Sequence, residues 1–545
     1  MKCSKYKNNA ENIAKNLEIQ ARIEQSKAQI EMSKAQASVM KSFTNSGYSE
    51  GGASRRKKSL KGWDSTSRSP LEDIDFNLDL LRQRSRSLYM SAPIATSAIK
   101  TQRTNVIGSG LKLKCKIDYE FLGITKEQAE IWEKNTEREF NLWAESIWCD
   151  TQRLNNFYEL QQLALMSWLV NGDGFAIIKH TDPKPWMPYS LRLHLIEGDR
   201  VSSPNTFSLI GMQPAISKAT NGNKIYNGIE IDKDGAVTAY HICNQYPNSN
   251  VQNEAKKWQR VEAYGELTGE PNILHLMESE RCEQYRGVPY LAPVIETLKQ
   301  ITRYTEAELM AAVVQSFFTA FIKVETPKNE IPITSIIPAE EQIETDANSY
   351  ELGAGTINVL GPNEDVVFGD PTRPSSGFDP FVNAMSKHIG AALEIPVELL
   401  TKSFMASYSA SRAALLEAWK SFRMRRVWFA NDFCQPVYEL FLSEAVALGR
   451  INAPGYFNDP SIKKAWCKSN WNGPAPGQID PVKEVNAATL RVEQGYSTRE
   501  RETIELTGGN WDENIDQIKR ENQLLNEANL QATQINPKGG DNNNG

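Results

Sequence analysis

A run of 32 residues, Val294 to Glu325, contains neither proline nor glycine. At 1.5 Å per residue a helix over that stretch would reach roughly 48 Å, far beyond the three or so turns of an ordinary globular helix. Pro289 and Pro293 stand just ahead of it, so the chain changes character there. Two more helices are expected, Pro380 to Leu393 and Ala410 to Gln435, separated from the first by Thr326 to Gly377, a segment rich in β-formers and turn residues. At 545 residues the chain exceeds what one hydrophobic core organises, roughly 250–300 residues, so a multi-part architecture is expected.

Ahead of the long run the pattern is mixed. Glu11 to Phe43 is polar and loosely helical, and Thr44 to Pro70 has linker chemistry, with Gly51-Gly52 and the basic run Arg55-Arg56-Lys57-Lys58. That basic run is open to two readings, a contact with DNA or scaffold, or a disordered basic tail. The folded body should start near Leu71. Helical patterns then hold to Trp148, broken at Ala92-Pro93 and at Gly108-Ser109-Gly110, which leads into a short strand. Phe157 to Trp168 reads as an amphipathic helix stopped by Asn171-Gly172-Asp173-Gly174. Strands are expected at Phe175–Lys179, Leu191–Ile196, Gly228–Ile231, Val237–Cys243 and Ile273–Met277, with Asp232-Lys233-Asp234-Gly235 as a hairpin turn. Towards the C-terminus Asp480-Pro481 pairs an N-cap with a proline at the first helical position, and Ser497 with Glu500 and Asn510 with Glu513 repeat capping-box spacing. Three short helices follow from this. The tail from Gln531 is low-complexity.

Charge is unevenly placed. The net −6 divides into +8 over residues 1–69 and −14 over the remainder. Tight non-specific grip on nucleic acid comes from lysine and arginine releasing counterions, so a body this acidic would let DNA pass rather than hold it. The most apolar run, Leu309 to Ile322, is 14 residues long, short of the roughly 20 that a bilayer span needs, and Met1 to Ala10 leads into no apolar signal region. Seven cysteines without a C-x-x-C pair point to reduced thiols and fit assembly in the cytoplasm.

Catalytic patterns do not emerge. His180, His194, His241, His275 and His388 stand singly, without metal-ligand spacing. No Gly-Lys dipeptide exists to make a Walker A loop. Long helices, an acidic body and capped C-terminal helices describe a non-enzymatic scaffold assembling with copies of itself, with no cofactor or metal implied.

Several islands carry a family resemblance. Arg84-Ser85-Arg86-Ser87-Leu88 leads to Ala92-Pro93-Ile94-Ala95 and then to Asn105-Val106-Ile107-Gly108-Ser109-Gly110. Further on come Gly228-Ile229-Glu230 with Asp232 and Gly235, His275-Leu276 with Arg281, Arg286-Gly287-Val288-Pro289 with Leu291-Ala292-Pro293, Tyr408-Ser409-Ala410-Ser411-Arg412-Ala413-Ala414, and Ile479-Asp480-Pro481-Val482-Lys483-Glu484. Their joint order over residues 84 to about 525 resembles the lambda-type phage portal proteins. Cys282-Glu283-Gln284 and Lys402 to Ala406 depart from the family pattern, the first where a proline is usual, the second in lacking an acidic residue.

The resemblance implies an α+β portal fold assembled as a ring, as a rule of twelve subunits, at the capsid vertex through which double-stranded DNA enters and leaves. The parts would be a basic arm and linker (1–70), a mixed α/β wing (71–293), a stem helix (294–322), a small α/β clip (323–377), a returning stem helix (378–400), a tunnel loop (401–412), a long helix and wing return (413–479), a helical crown (480–530) and a disordered tail (531–545). Implied partners are the terminase large subunit, major capsid and scaffold proteins, head-completion and tail connector proteins, and the DNA itself, in a virion with no membrane. Another head structural or adaptor protein, or a terminase-associated nuclease, are the alternatives, and the second would need an ATP loop or clustered metal carboxylates.

Three groups of residues carry the site expectations. In the tunnel loop Lys402, Ser403, Ser407, Tyr408, Ser409 and Arg412 would face DNA, a hydroxyl-rich set with little cationic grip. The clip has 10 acidic and three basic residues over Lys323 to Gly377. Glu340, Glu341, Glu344 and Asp346 there would dock the terminase, although from the residues alone a solvated surface is the favoured reading. Trp419, Arg423 and Arg426 lie at helical spacing within Lys420 to Phe429 and its flank. They suggest either a nucleic-acid patch or burial between subunits with arginines on a neighbour's carboxylates.

Overall fold

The computed structural model describes residues 20–34, 58–63, 66–204, 217–246, 249, 255–316, 320–324, 364–368, 377–404, 407–477 and 480–527. The chain divides into two units, Met1–Arg68 and Ser69–Gly545. The first contains helix α1 over residues 20–34 and a short turn at Lys58–Leu60.

The second unit begins with a π-helical turn, Leu71–Asp75, running into α2 (Phe76–Ser91). Ala92 is extended and Pro93 starts α3 (Pro93–Val106), since proline needs no amide partner at a helix start. Strand β1 (Lys112–Cys115) and the short α4 (Tyr119–Leu122) follow. Helix α5 (Lys126–Ala144) opens on a full capping box between Thr125 and Gln128, and α6 (Phe157–Asn171) on another between Asn156 and Glu159.

The strands are β2 (Asp173–His180), β3 (Leu191–Glu197), β4 (Ser217–Lys218), β5 (Lys224–Tyr226), β6 (Ile229–Ile231), β7 (Val237–Cys243), β8 (Trp258–Glu262) and β9 (Ile273–Met277). They form two antiparallel sheets, ordered β3-β2-β9 and β4-β5-β6-β7-β8. All five expected strands are present. Strand β8 was not anticipated, because Trp-Gln-Arg-Val-Glu lacks an apolar face and sits at a sheet edge with mostly exposed side chains.

Beyond β9 lie α7 (Ile295–Ser316), β10 (Ala320–Val324) paired antiparallel with β11 (Glu364–Phe368), α8 (Phe378–Ala392), α9 (Val397–Thr401) and α10 (Tyr408–Phe429). The expected 32-residue helix is thus corrected to 22 residues, about 33 Å. Ala320–Val324 is strand instead, consistent with the aromatic and β-branched Phe321, Ile322 and Val324. The helix expected to stop at Gln435 instead continues through a π-helical turn, Ala430–Cys434, into α11 (Gln435–Ala447). Pro436 is tolerated because it falls at the first positions after that turn.

Then come α12 (Pro460–Cys467), β12 (Ser469–Asn472), α13 (Pro481–Glu493), α14 (Arg499–Thr507) and α15 (Trp511–Glu527). Asp480 caps α13 as expected. The cap of α14 is Thr498, whose hydroxyl accepts from the Arg501 amide at 3.2 Å, one residue past the expected Ser497.

Two cores hold this unit together. In the larger, Phe140 of α5 meets Phe157, Tyr438 and Phe441 edge-on at 5.2 to 5.8 Å between ring centres, and the Trp143 indole donates to the Leu191 carbonyl at 3.0 Å. These residues come from α5, α6, α11 and the start of β3. The smaller core lies between the two sheets, with Phe175, Ile196, Ile229, Tyr240 and Ile242 buried. Strand β12 returns from the far end of the chain to pair with β1, Leu113 opposite Trp471.

Candidate functional site

Helix α9 ends at Thr401, and Lys402 takes the left-handed conformation, φ +57°, where glycine is the usual residue. A lysine held there costs about 1 kcal/mol of backbone energy. Its surroundings fix it. The Lys402 ammonium donates to the Thr101 hydroxyl of α3 at 2.8 Å, and the Ser97 hydroxyl of α3 donates to the Leu400 carbonyl at 2.7 Å. Partial burial of the ammonium lowers the Lys402 pKa below its ordinary value.

Only part of the expected tunnel loop is loop. Lys402, Ser403 and Ser407 lie between helices, whereas Tyr408, Ser409 and Arg412 belong to the first turns of α10. Alanine, arginine and leucine from Ala410 to Leu416 favour helix from the start. Arg412 approaches Glu484 of α13 at 3.9 Å, so its charge is already engaged by the crown region.

The α10 trio separates as well. Trp419 is buried, and the Arg426 guanidinium sits 5.5 Å over a Trp419 ring while donating to the carbonyls of Val106, Asn105 and Pro474 at 3.0, 2.8 and 2.8 Å. Burial, and then Arg423, push the Arg426 pKa down to about 10. Within the subunit, Trp419 and Arg426 thus have partners in their own chain. Arg423 stays exposed, 4.0 Å from Glu505. Glu340, Glu341, Glu344 and Asp346 lie outside the described residues.

Sequence reading missed a buried charge cluster that ties α2, β2 and β9 together. Asp173, fully buried at the start of β2, accepts from Arg82 of α2, from Arg286 at 2.8 Å, from the His275 ring at 3.0 Å and from the Gly287 amide at 2.6 Å. Burial alone would raise this carboxyl, but Arg286, His275 and Arg82 outweigh it and hold it far below the usual carboxylate range. Burial lowers the His275 pKa despite Asp173, which leaves a neutral ring donating through Nε2. Asp75, close by, is pushed up to about 6 by burial.

The cluster also explains the turn after α6. Gly172 has φ +85°, and a Cβ there would come 2.4 Å from the Gly287 carbonyl oxygen. A second cluster surrounds Glu230 of β6. It accepts from Arg260 at 2.8 Å, Asn221 at 2.7 Å, Asn223 at 2.9 Å and His241 at 3.1 Å. Burial works to raise this carboxyl, and the hydrogen bonds overcome it to hold it low.

Glu230, His275, Arg286 and Gly287 fall within the sequence islands, so several of those islands meet in these two clusters. In each cluster the central carboxylate is held by fixed cationic and amide partners. Among the described residues no group of three His, Cys, Asp or Glu side chains could hold a metal ion. Among the described residues, too, no helix is long and apolar enough to cross a membrane.

Comparison with known proteins agrees with this scaffold. Residues 56–426 match the phage portal protein, lambda family. The chain belongs to that family, whose members are structural proteins of phage particles. Among its relatives, the portal protein of Escherichia phage N15 is 24% identical over 492 residues, covering 86% of this chain and 89% of that protein. Portal protein B of Escherichia phage lambda is 24% identical over 473 residues, covering 83% and 85%. A chain from the neck of a native gene transfer agent particle aligns over 77% of this chain and 93% of its own length at 13% identity, with a TM-score of 0.38. At that score the overlay adds nothing to the family match.

Proposed function

We propose that this portal protein closes with copies of itself into a ring, a dodecamer in our reading, at one capsid vertex of a tailed phage. Double-stranded DNA is packaged and later ejected through it. The observation that carries this is the family match over residues 56–426. The subunit docks the terminase large subunit during packaging and head-completion and tail connector proteins afterwards. It contacts major capsid and scaffold proteins around its rim, and it assembles in the host cytoplasm before residing in the virion.

Within the ring, residues 71–293 act as wing, α7 and α8 as stem, 323–377 as clip and 480–530 as crown. Charge supports the division of labour. The clip segment is strongly acidic and can steer and orient a partner, with Glu340, Glu341, Glu344 and Asp346 as its docking face. The loop from Lys402 to Ser407 and the start of α10 face the DNA, offering hydroxyls and one or two cations per subunit. A sparse cationic lining over an acidic wall lets a duplex slide, because affinity grows with every phosphate neutralised.

Negative-stain electron microscopy of the purified protein tests ring formation: annular particles with a central hole are expected, and compact monomers under all conditions overturn the proposal. Capsids carrying Lys402→Ala, filled in vitro and assayed for nuclease-protected DNA, should lose DNA faster than wild type with ring assembly unchanged. Wild-type retention would remove the loop from the DNA path.

A further inference from the structure

Beside Lys402 lies an open groove of about 540 Å³ that runs along one face of α3. Ser97, Lys100, Thr101 and Thr104 recur there at spacings of three and four residues, so one helix face presents them together. Arg103 and Lys402 complete the cationic lining, and Met90 and Pro93 close one end. No carboxylate lines the groove. Among the described residues neither Lys100 nor Arg103 has an acidic partner within salt-bridge distance, and Lys100 and Thr104 are exposed. In a body that carries −14 overall, three cations without a counter-charge stand out.

We infer that this groove is a binding site for the phosphate backbone of double-stranded DNA, with Lys100, Arg103 and Lys402 as its charge contacts and Thr104 as a neutral donor. The inference rests on the reading of the chain as a DNA conduit and extends it from the loop to α3. Cations interleaved with hydroxyls are the side chains that meet phosphate oxygens, and they do so without regard to base sequence. The groove is built, not incidental. Lys402 is anchored on Thr101 in a backbone conformation that lysine seldom adopts, and the Ser97 bond to Leu400 fixes α9 against the same helix. The loop therefore reaches DNA from a platform and does not swing as a free arm. Three cations per subunit also fit the task of passage, since each phosphate contact adds a unit or so to the salt dependence and a short row of contacts releases readily.

The test uses the full-length protein in its assembled state and a short blunt DNA duplex, with binding followed by fluorescence anisotropy across a salt series. Replacing Lys100, Arg103 and Lys402 by alanine together should flatten the plot of log affinity against log salt by about 2 to 3 units. Lys126→Ala with Lys468→Ala, on exposed wing positions away from the groove, should leave the plot unchanged. An unaltered slope in the triple variant overturns the inference, as does failure of the wild-type protein to bind the duplex at low salt. Loss of rings in sedimentation, with DNA binding by the remaining rings intact, would show that an acidic segment of a neighbouring subunit fills the groove, and overturns it too. Capsid retention separates the two readings. Dependence on Lys402 but not on Lys100 and Arg103 leaves the loop in the DNA path and removes α3 from it.

Discussion

The wing and the C-terminal helices are both held by opposite charges, yet in opposite ways. In the wing, Asp173, Arg82 and Arg286 are buried almost completely and every oxygen and guanidinium is spoken for. The C-terminal helices meet the body through Lys116 with Glu500 at 2.8 Å, Lys114 with Asp512 at 3.3 Å and Lys134 with Asp516 at 3.3 Å, all at least partly in solvent. Helix α15 buries no side chain, and α13 buries Ala488 alone. The difference is one of screening. Buried charges cannot lose their partners without a large penalty, whereas surface pairs contribute about 0–1 kcal/mol each and weaken with salt. The Asp173 cluster is thereby the frame of this unit, whereas the C-terminal helices, the proposed crown, are joined to it by contacts that salt weakens.

The largest expected effect comes from breaking the frame. Arg286→Met leaves Asp173 short of its principal counter-charge and should cost roughly 3–5 kcal/mol, read as a fall in the denaturation midpoint. A variant as stable as wild type would mean that Arg82 and His275 suffice.

Acid titration sharpens the same contrast. Asp173 is held below its ordinary value, so its contribution is complete at neutral pH and is lost only as pH falls below about 4. Asp75 runs the other way. Its carboxyl is raised from 3.8 to about 6, so ionised Asp75 weakens the fold increasingly from pH 4 up to 6 and constantly above. Asp75→Asn should therefore stabilise the protein by roughly 1–2 kcal/mol at pH 8, a gain that shrinks towards pH 4. Thermal denaturation at both pH values checks it, and an equal gain at both would show that Asp75 is not titrating.

Salt probes the crown. Raising ionic strength until the screening length is about 3 Å should speed amide hydrogen exchange in α13–α15 while α5 and α6 stay protected. Lys116→Ala combined with Lys134→Ala should shift the crown in the same direction at low salt. Uniform protection across the subunit would place an apolar contact under the crown.

The smallest effect is expected outside both regions. A chain starting at Ser69 lacks the polar basic arm and begins at the boundary of the second unit. It should close rings and melt as the full chain does. Failure to assemble, with folding retained, would make residues 1–68 an interface element.

Much of this protein was legible in its residues because local physics wrote it there. Ala92-Pro93 separates α2 from α3, Asn171-Gly172 stops α6, Asp480-Pro481 starts α13, and the β-forming run Val237 to Cys243 becomes β7. The errors have the same origin. A window without proline or glycine reads as helix, yet Phe321, Ile322 and Val324 go into strand β10, paired with Val366 and Phe368 and their neighbours some 40 residues on. The intrachain partners of Trp419 and Arg426 were not legible, because aromatic and cationic side chains at helical spacing fit either a neighbour or the chain's own interior. The carbonyls of Asn105, Val106 and Pro474 that receive Arg426 are distant in sequence.

Sequence by itself determined the order of the helices and strands, the caps and breaks between them, the acidic body with its basic arm, and the family. These rest on neighbours within a few residues, on composition, or on islands kept in order along the chain. Tertiary structure alone decided which charges are locked and which are open. Asp173 meets Arg82 from 91 residues upstream and Arg286 from 113 downstream, and Lys402 meets Thr101 across 301. A charge in a sequence has no burial and no partner until folding supplies both, and those two properties separate the locked Asp173 cluster from the open groove along α3.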